Sequence, residues 1–334
     1  MEKNMISQNQ FLNSDLDLLT EKLSLQIIYD NCEDLNQIVD KLRHFKNLKD
    51  LSLQIMNKIK ENEFSVMIDA IKEMTTLKSF EFFVDLYFHQ PIRGKRVYQE
   101  GAKELEQIGQ LQNLESITLN FSYFQLQDSD IKYLAQIFKQ CVSLKQAELI
   151  IPQNITSFGY QELGQSLSET SKLKKLVLKL TVEQCIRLCY LGSGLAKNQT
   201  IQDLQIIINE NKGPNAKENF TEKGMCKFAT SLSKMKQIHS FEFRLNFGDP
   251  IFSGNGICKF GTSLAEMSNL QYLKLELSET YAIEQIIDVL KYFQNLRYLL
   301  LIGFKVRNKI RLNDVWKIKR LVQCQFQIRQ IEEY

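Results

Sequence analysis

Histidine and cysteine are the side chains whose spacing would most directly reveal catalysis or metal binding, and both are sparse in this sequence. The three histidines, His44, His89 and His239, lie far apart in the chain. No histidine and cysteine combine at the short intervals that a tetrahedral zinc site requires. We therefore predict no metal ligand, no cofactor-binding residue and no catalytic residue, and we expect that the protein is not an enzyme.

The cysteines indicate a packing role. Cys185 and Cys189 are four residues apart on a segment with helical spacing, and Cys226 and Cys258 occupy equivalent positions in two similar segments. Pairs of this kind are more typical of a buried core than of a metal or redox site. The total of seven cysteines is odd, which is typical of reduced thiols in a cytoplasmic, reducing compartment.

Two glycine-rich triplets lack the context of a catalytic or phosphate-binding loop. They are Gly-Ser-Gly at residues 192–194 and Gly-Asn-Gly at residues 254–256. Neither is accompanied by the further glycines or the lysine that such loops need. We predict a turn at each triplet.

The elements that would position any site are repeated along the chain. Residues 224–238 are nearly copied in residues 256–270, and each copy runs into a stretch in which apolar and polar residues alternate. Weaker copies lie upstream, and an early one covers residues 23–27. The apolar residues that anchor the copies are Leu48, Leu77, Leu114, Leu144, Leu173, Ile201, Ile238, Leu270 and Leu296, at intervals of 29, 37, 30, 29, 28, 37, 32 and 26.

Each copy reads L-x-x-L-x-L-x-L followed by apolar residues at helical spacing, which predicts a short strand and a return helix. Apolar residues two apart share one face of a strand, and the spacing then changes to the helical period. Such a unit can bury its apolar face only against its neighbours. We therefore predict an α/β solenoid of about ten repeats, a curved horseshoe with a parallel concave sheet and convex helices. Residues 20–304 would form the solenoid, residues 1–19 an N-terminal cap and residues 305–334 a basic C-terminal cap.

This pattern resembles the leucine-rich repeat superfamily, in particular its long, ribonuclease-inhibitor-like class. The resemblance covers most of the chain, and it departs from the family after each strand, where varied residues replace the usual Asn or Cys. It implies a non-catalytic scaffold or assembly subunit that binds other proteins, and the class also implies a regulator of small GTPases as an alternative. The composition, rich in Gln, Lys, Asn and Ile, is similar to that of protist proteins, and an association with cilia or the cytoskeleton stays open.

The residues between the apolar strand positions should face outward on the concave side and form the binding surface. Alignment of the copies places Glu242 beside Lys274 and Arg244 beside Glu276, which predicts two cross-strand ion pairs. Aromatic and aliphatic residues gather at the C-terminal end of this surface, as in many protein contacts. Two plainer alternatives stay open: the charges could only neutralise each other, and the C-terminal cap could cover the aromatic residues. The predicted protein-binding residues are Phe83, Tyr272, Tyr298, Leu300, Glu242, Arg244, Lys274 and Glu276.

Three longer connections follow strands, at residues 85–99, 209–219 and 246–255. All leave the same end of their strands, so we predict that they project from one rim. Loops on a rigid scaffold commonly carry recognition, which adds this rim to the predicted protein-binding surface.

A basic segment is a second candidate surface. Between Lys305 and Arg329 the chain carries eight basic residues and only one acidic residue, Asp314. Such a segment would suit RNA in a ribonucleoprotein or the acidic surface of a cytoskeletal or axonemal filament, and a solvated cap is the plainer alternative. The predicted polyanion-binding residues are Lys305, Arg307, Lys309, Arg311, Lys317, Lys319 and Arg320.

The overall charge excludes a protein whose binding is driven by bulk electrostatics. The formal net charge is only +3, and a nucleic-acid or membrane-surface protein of that kind would be far more basic. No apolar run approaches the roughly 18 residues that cross a bilayer, and the polar N-terminal stretch does not fit a secretory signal. We expect a cytoplasmic protein with protein partners and no membrane contact.

Overall fold

The structure is a computed structural model that divides into two compact units, Met1–Ile155 (unit 1) and Thr156–Tyr334 (unit 2). Each unit is described by itself below. The structure describes residues 5–14, 20–28, 32–56, 61–85, 101–122, 126–152, 154–182, 185–210, 221–246, 253–280, 283–306, 321 and 323–330.

Unit 1 is a parallel sheet of six strands that follow one another in sequence order, with helices between them. Its strands are β1 (Ile6–Ser7), β2 (Lys22–Ile28), β3 (Asp50–Met56), β4 (Ser79–Asp85), β5 (Ser116–Asn120) and β6 (Gln146–Ile151). Its helices are α1 (Gln8–Leu12), α2 (Cys32–Arg43), α3 (Glu61–Lys72), α4 (Gly101–Leu105, continued by a 3₁₀ turn at Glu106–Gln110) and α5 (Asp128–Gln140).

Unit 2 has the same architecture and also pairs its six strands in parallel and in order. Its strands are β7 (Lys175–Val182), β8 (Asp203–Glu210), β9 (Ser240–Asn246), β10 (Tyr272–Thr280), β11 (Tyr298–Val306) and β12 (Gln323–Gln330). Its helices are α6 (Ser157–Ser168), α7 (Cys185–Leu195), α8 (Glu222–Leu232), α9 (Gly254–Ala265) and α10 (Ile283–Val289, continued by a 3₁₀ turn at Leu290–Tyr292).

The strand burial follows the alternation in the sequence, and it confirms the α/β solenoid. Leu119 of unit 1 and Leu178 and Leu275 of unit 2 are completely buried on the helix side of their sheets. Residues between them, such as Thr118 and Lys274, are only partly covered. Because every parallel pair holds equivalent residues side by side, the apolar strand positions form one continuous core within each unit.

Consecutive repeats are joined at the same backbone position each time. In unit 1 the N–H groups of Lys49 and Asp50 donate to the carbonyl oxygen of Glu21, at 2.7 and 2.9 Å, and those of Lys78 and Ser79 donate to the carbonyl oxygen of Lys49. Each carbonyl therefore accepts two hydrogen bonds, which holds the register before the strand begins. In unit 2 the acceptors are the carbonyls of Lys174, Gln202, His239 and Gln271.

Asparagine side chains reinforce these junctions before the strands. Each of three asparagines immediately precedes the first anchor leucine of its repeat, and its amide donates to a carbonyl of the preceding repeat. The bonds are Asn113 to Thr75 (2.8 Å), Asn269 to Lys236 (2.8 Å) and Asn295 to Ser268 (2.6 Å). They satisfy turn carbonyls that lack a partner within their own repeat.

The prediction of turns at the two glycine triplets is wrong. Residues 192–194 lie inside α7, and residues 254–256 open α9, where Ser253 caps the helix by accepting from the Gly256 N–H at 3.2 Å. The glycines permit close helix packing: a Cβ on Gly194 would lie 2.4 Å from the carbonyl carbon of Gly164 in α6. Glycine is required there because two helix backbones approach each other, not because the chain turns.

Both segments expected to be caps contribute a strand. At the N-terminal end, α1 buries Phe11, and the Lys41 ammonium of α2 donates to the carbonyls of Phe11 and Ser14 at 2.5 and 2.6 Å. At the C-terminal end, β12 pairs with β11. The domain boundaries at 19/20 and 304/305 stay a prediction. None of the helices that the structure describes is long and apolar enough to cross a membrane.

Candidate protein-binding face

The outward residues of the strands form what we call the open strand face, the side of each sheet opposite the helices. Phe83 lies on it in β4 of unit 1, half-buried between its register neighbours Gln54 and Asn120. The other seven predicted protein-binding residues lie on β9, β10 and β11 of unit 2. The structure therefore brings those seven together and assigns Phe83 to a different unit.

Both predicted ion pairs are present, and they compensate the charge of the β9–β10 region. The Arg244 Nε lies 2.7 Å from the Glu276 Oε2, and the Lys274 Nζ lies 3.5 Å from the Glu242 Oε2. Glu242 also accepts a hydrogen bond from Gln205 of β8 at 3.2 Å. Each cross-strand pair of this kind contributes only about 0.2–1 kcal/mol. Their main effect is to leave this part of the face polar but locally neutral.

An aromatic cluster borders the neutral region. Tyr272 and Tyr298 are direct register partners on β10 and β11, and Leu300 is the partner of Lys274. The Tyr298 side chain is 41% exposed, and it is the one large hydrophobic residue exposed on a strand in the described part of the chain. Burial, together with the negative charge of Glu242, raises the pKa of Tyr272, so its phenol stays protonated at neutral pH.

Strand β12 pairs with β11 and so adds one more strand to the sheet next to this cluster. Gln323 is the register partner of Tyr298, and Gln325 that of Leu300. Gln323 is itself exposed. The described part of the C-terminal segment therefore pairs glutamine positions with Tyr298 and Leu300, and Tyr298 keeps its exposure.

A depression on the open strand face of unit 2 is small, and its lining is as polar as it is apolar. It has a volume of about 180 Å³ between β7, β8 and β9. Lys175, Asp203, Gln205 and Glu242 line it. Sites for small organic molecules are usually concave and mostly apolar, which this depression is not.

Four thiols, those of Cys141, Cys189, Cys226 and Cys258, lie on helices or at a helix end, and burial raises the pKa of each. Burial raises the pKa of Cys141 to about 12 and that of Cys189 to about 11. Cys189, Cys226 and Cys258 stand at equivalent positions of three consecutive helices, and each thiol donates to a backbone carbonyl of the next helix. Raised pKa values make these thiols poor nucleophiles and poor metal ligands. No group of three or more His, Cys, Asp or Glu side chains in the described ranges could hold a metal ion.

The remaining predicted surfaces lie largely outside the described residues. Lys305 stands in β11 as the register partner of Arg329. The other predicted polyanion-binding residues, Arg307, Lys309, Arg311, Lys317, Lys319 and Arg320, lie outside the described residues, as do most of the three rim loops. Binding of RNA, of an acidic filament or of a small GTPase stays a prediction.

The sequence-based prediction placed its candidate surfaces on the strands, the rim loops and the basic C-terminal segment, and it missed exposed apolar residues on the helices. Phe158 of α6 and Ile186 and Tyr190 of α7 are the clearest cases. The signal was present in the aligned repeats, where Lys223 and Lys227 occupy the positions equivalent to Ile186 and Tyr190. Apolar residues at positions that are polar in another repeat cannot all be required by the shared core.

No protein-family model and no curated protein sequence matches this chain. Among solved structures, the crystal structure of a protein from Bacteroides fragilis is similar over 81% of this chain and 69% of its own length, at 13% identity and a TM-score of 0.45. The Rad7 and Elc1 complex from yeast is similar over 98% of this chain and 75% of the matched chain, at 15% identity and a TM-score of 0.47. These values are too low to transfer any property of those proteins to this chain.

Proposed function

We propose that this protein is a leucine-rich repeat protein of the ribonuclease-inhibitor-like class, and that it works as a non-catalytic scaffold that binds another protein. The repeat of a short strand and a return helix supports the class. The small size of the depression on the open strand face and the raised pKa values of Cys141 and Cys189 favour binding over catalysis.

The binding surface is the β9–β11 part of the open strand face. The observation that carries this proposal is the exposure of Tyr298 beside half-buried Tyr272 and Leu300. Tyrosine is enriched at the centres of protein interfaces, since it offers a large apolar ring and a hydroxyl at low entropic cost. The adjoining Glu242–Lys274 and Arg244–Glu276 pairs form a polar border that needs no counter-charge from the partner.

The test is site-specific photo-crosslinking in the native source, followed by mass spectrometry of the adducts. The variant Tyr298→benzoylphenylalanine should form a discrete adduct with one protein. The matched control is the same substitution at Tyr292, which is also exposed but lies in the 3₁₀ turn after α10, and it should not form that adduct.

A second measurement gives the contribution of the Tyr298 side chain to the binding free energy. Tyr298→Ala should weaken capture of the crosslinked protein by about 1–3 kcal/mol, as loss of a central interface tyrosine does. Tyr292→Ala should leave capture unchanged. Equal adducts at both positions, or capture that is insensitive to Tyr298→Ala, would contradict the assignment of this face.

A further inference from the structure

The helix side of unit 2 carries a surface that the proposed function does not use. Helices α6, α7, α8 and α9 begin at Ser157, Cys185, Glu222 and Gly254, and these starts are spaced like the strands that follow them. Residues at the same helical position are therefore neighbours on adjacent helices. The second positions are Phe158, Ile186, Lys223 and Asn255, and the sixth positions are Glu162, Tyr190, Lys227 and Lys259.

The part of this surface on α6 and α7 is apolar and exposed. Phe158 is 80% exposed, Ile186 43% and Tyr190 41%. The Thr156 hydroxyl caps α6 by accepting from the Phe158 N–H at 3.2 Å, so Phe158 is held in an ordered first turn. Exposed apolar residues on adjacent helices are typical of a contact site.

The part on α7, α8 and α9 is a basic groove. It has a volume of about 640 Å³, and the exposed side chains of Lys223, Lys227 and Lys259 line it. None of the ion pairs among the described residues uses these three lysines. The Glu222 carboxylate also borders the groove, but it accepts the Ser253 backbone N–H at 2.7 Å. Because three ammonium groups face one carboxylate, the groove keeps a net positive charge.

The remaining lining of the groove adds no further charge. Cys189 and Cys226 line it, and their thiols donate to the carbonyl oxygens of Gly224 and Gly256 at 3.3 and 3.5 Å. Burial raises the pKa of both thiols, so neither adds a negative charge near neutral pH. A ligand in the groove therefore contacts lysine ammonium groups together with uncharged thiols and backbone atoms.

We propose that this helix surface, from Phe158 across to Lys259, docks an acidic polypeptide segment of a partner protein. Apolar residues at one end of the segment contact Phe158, Ile186 and Tyr190, and its carboxylates lie in the groove between Lys223, Lys227 and Lys259. Three helix spacings of about 10 Å give a span of about 30 Å, which roughly nine extended residues cover. This surface lies on the opposite side of the sheet from Tyr298, so it goes beyond the proposed function.

Charge and shape favour a polypeptide over a nucleic acid. A single-stranded nucleic acid requires a basic track along its whole length. Here the lysines end at α8. On α7 the one basic residue is Arg187, which is half-buried and has an interaction of its own, and Glu162 of α6 occupies the position equivalent to Lys227. A surface with one apolar end and one basic end instead matches a polypeptide segment with one apolar end and one acidic end.

The test uses the full chain and a phage-displayed library of random 12-residue peptides as the probe. Enriched peptides should be acidic at one end and carry Phe, Leu, Ile or Trp at the other. One such peptide, made with a fluorescent label, is then titrated by fluorescence polarisation. The groove variant Lys223→Glu/Lys227→Glu/Lys259→Glu should weaken its binding more than about tenfold, and Phe158→Ser/Ile186→Ser should weaken it by about tenfold.

Two controls distinguish an effect of this surface on peptide binding from a general effect of charge and from an effect of the open strand face. Lys172→Glu/Lys197→Glu/Lys234→Glu makes the same charge change at exposed lysines of the loops in unit 2 and should leave the peptide affinity within about twofold. Tyr298→Ala should leave it unchanged, so failure here is distinguishable from failure of the proposed function. All variants are first compared with the wild type by thermal melting.

Several results would overturn the proposal. One is a library that enriches no acidic peptide, and another is an equal loss of affinity in the groove and control variants. A third is binding of poly(U) RNA or phosphatidylserine vesicles that the groove variant abolishes, with no peptide bound. A nucleic acid or a membrane would then be the ligand.

Discussion

The contact between α6 and α7 gives the sharpest test of how unit 2 packs. A Cβ placed on Gly194 would lie 2.4 Å from the carbonyl carbon of Gly164, and 2.7 Å from both the Gly164 Cα and the Gln165 nitrogen. Favourable contacts between carbon atoms lie near 3.5–4.0 Å. Gly194→Ala therefore requires the two helix backbones to separate by about 1 Å, because no flexible side chain can move away instead.

The size of the effect follows from two opposing terms. Overpacking a tight core contact costs about 1–3 kcal/mol, and a contact between backbones belongs at the upper end. Alanine offsets up to about 1 kcal/mol of this through its higher helix propensity. We expect Gly194→Ala to lower the free energy of unfolding by about 2 kcal/mol, and to lower Tm by about 4–8 °C for a unit of this size.

A matched glycine provides the control. At Gly254, the first residue of α9, the three atoms nearest to an added Cβ all belong to the side chain of Gln285, at 3.2 Å and more. That side chain is flexible, so we expect Gly254→Ala to change stability by less than about 0.5 kcal/mol. Urea unfolding followed by circular dichroism measures both variants. Equal stability of Gly194→Ala and the wild type would show that α6 and α7 do not approach as closely as described.

Three further predictions concern other parts of the fold. Leu178→Ala should lower the free energy of unfolding by about 2–5 kcal/mol in the same assay, because Leu178 is completely buried; an unchanged midpoint would refute the strand register. Lys41→Met should speed proteolysis within the first 14 residues without altering the main unfolding transition, since Lys41 binds the carbonyls that end α1. Cys141 and Cys189 should resist alkylation at pH 8 in the folded protein, because their pKa values of about 12 and 11 leave little thiolate. The unfolded chain releases those protons near the ordinary pKa of 9.0, so stability should fall as the pH rises above 9 towards 12. Rapid labelling at pH 8 would contradict the burial of these thiols.

The alternation of apolar residues and the intervals between copies predicted much of the fold and of the candidate face. Because equivalent residues of adjacent repeats pair side by side, alignment of the copies alone placed Glu242 beside Lys274 and Arg244 beside Glu276, and the structure confirms both pairs. The same alignment predicted that Tyr272 and Tyr298 are neighbours. Patterns of this kind are reliable because period and spacing depend on the local chain and on its nearest repeat.

Features that depend on contacts between elements could not be predicted from local sequence patterns. The glycines at 192–194 suggested a turn, but α7 continues through them, and Gly194 is needed because α6 approaches closely at Gly164. Glycine favours both turns and close contacts, so only the neighbouring helix distinguishes the two. The asparagines that join repeats also lie before the strands, where the carbonyls that need donors are exposed by the preceding turn.

The sequence by itself determined the repeat, the register and the identity of the core residues, since these follow from periodicity. Only the tertiary structure decided which outward residues remain exposed. Phe158 and Tyr160 are two residues apart on α6, yet Phe158 is exposed and Tyr160 is completely buried. Exposure is a property of what lies against a side chain, and an isolated stretch of sequence does not contain that information.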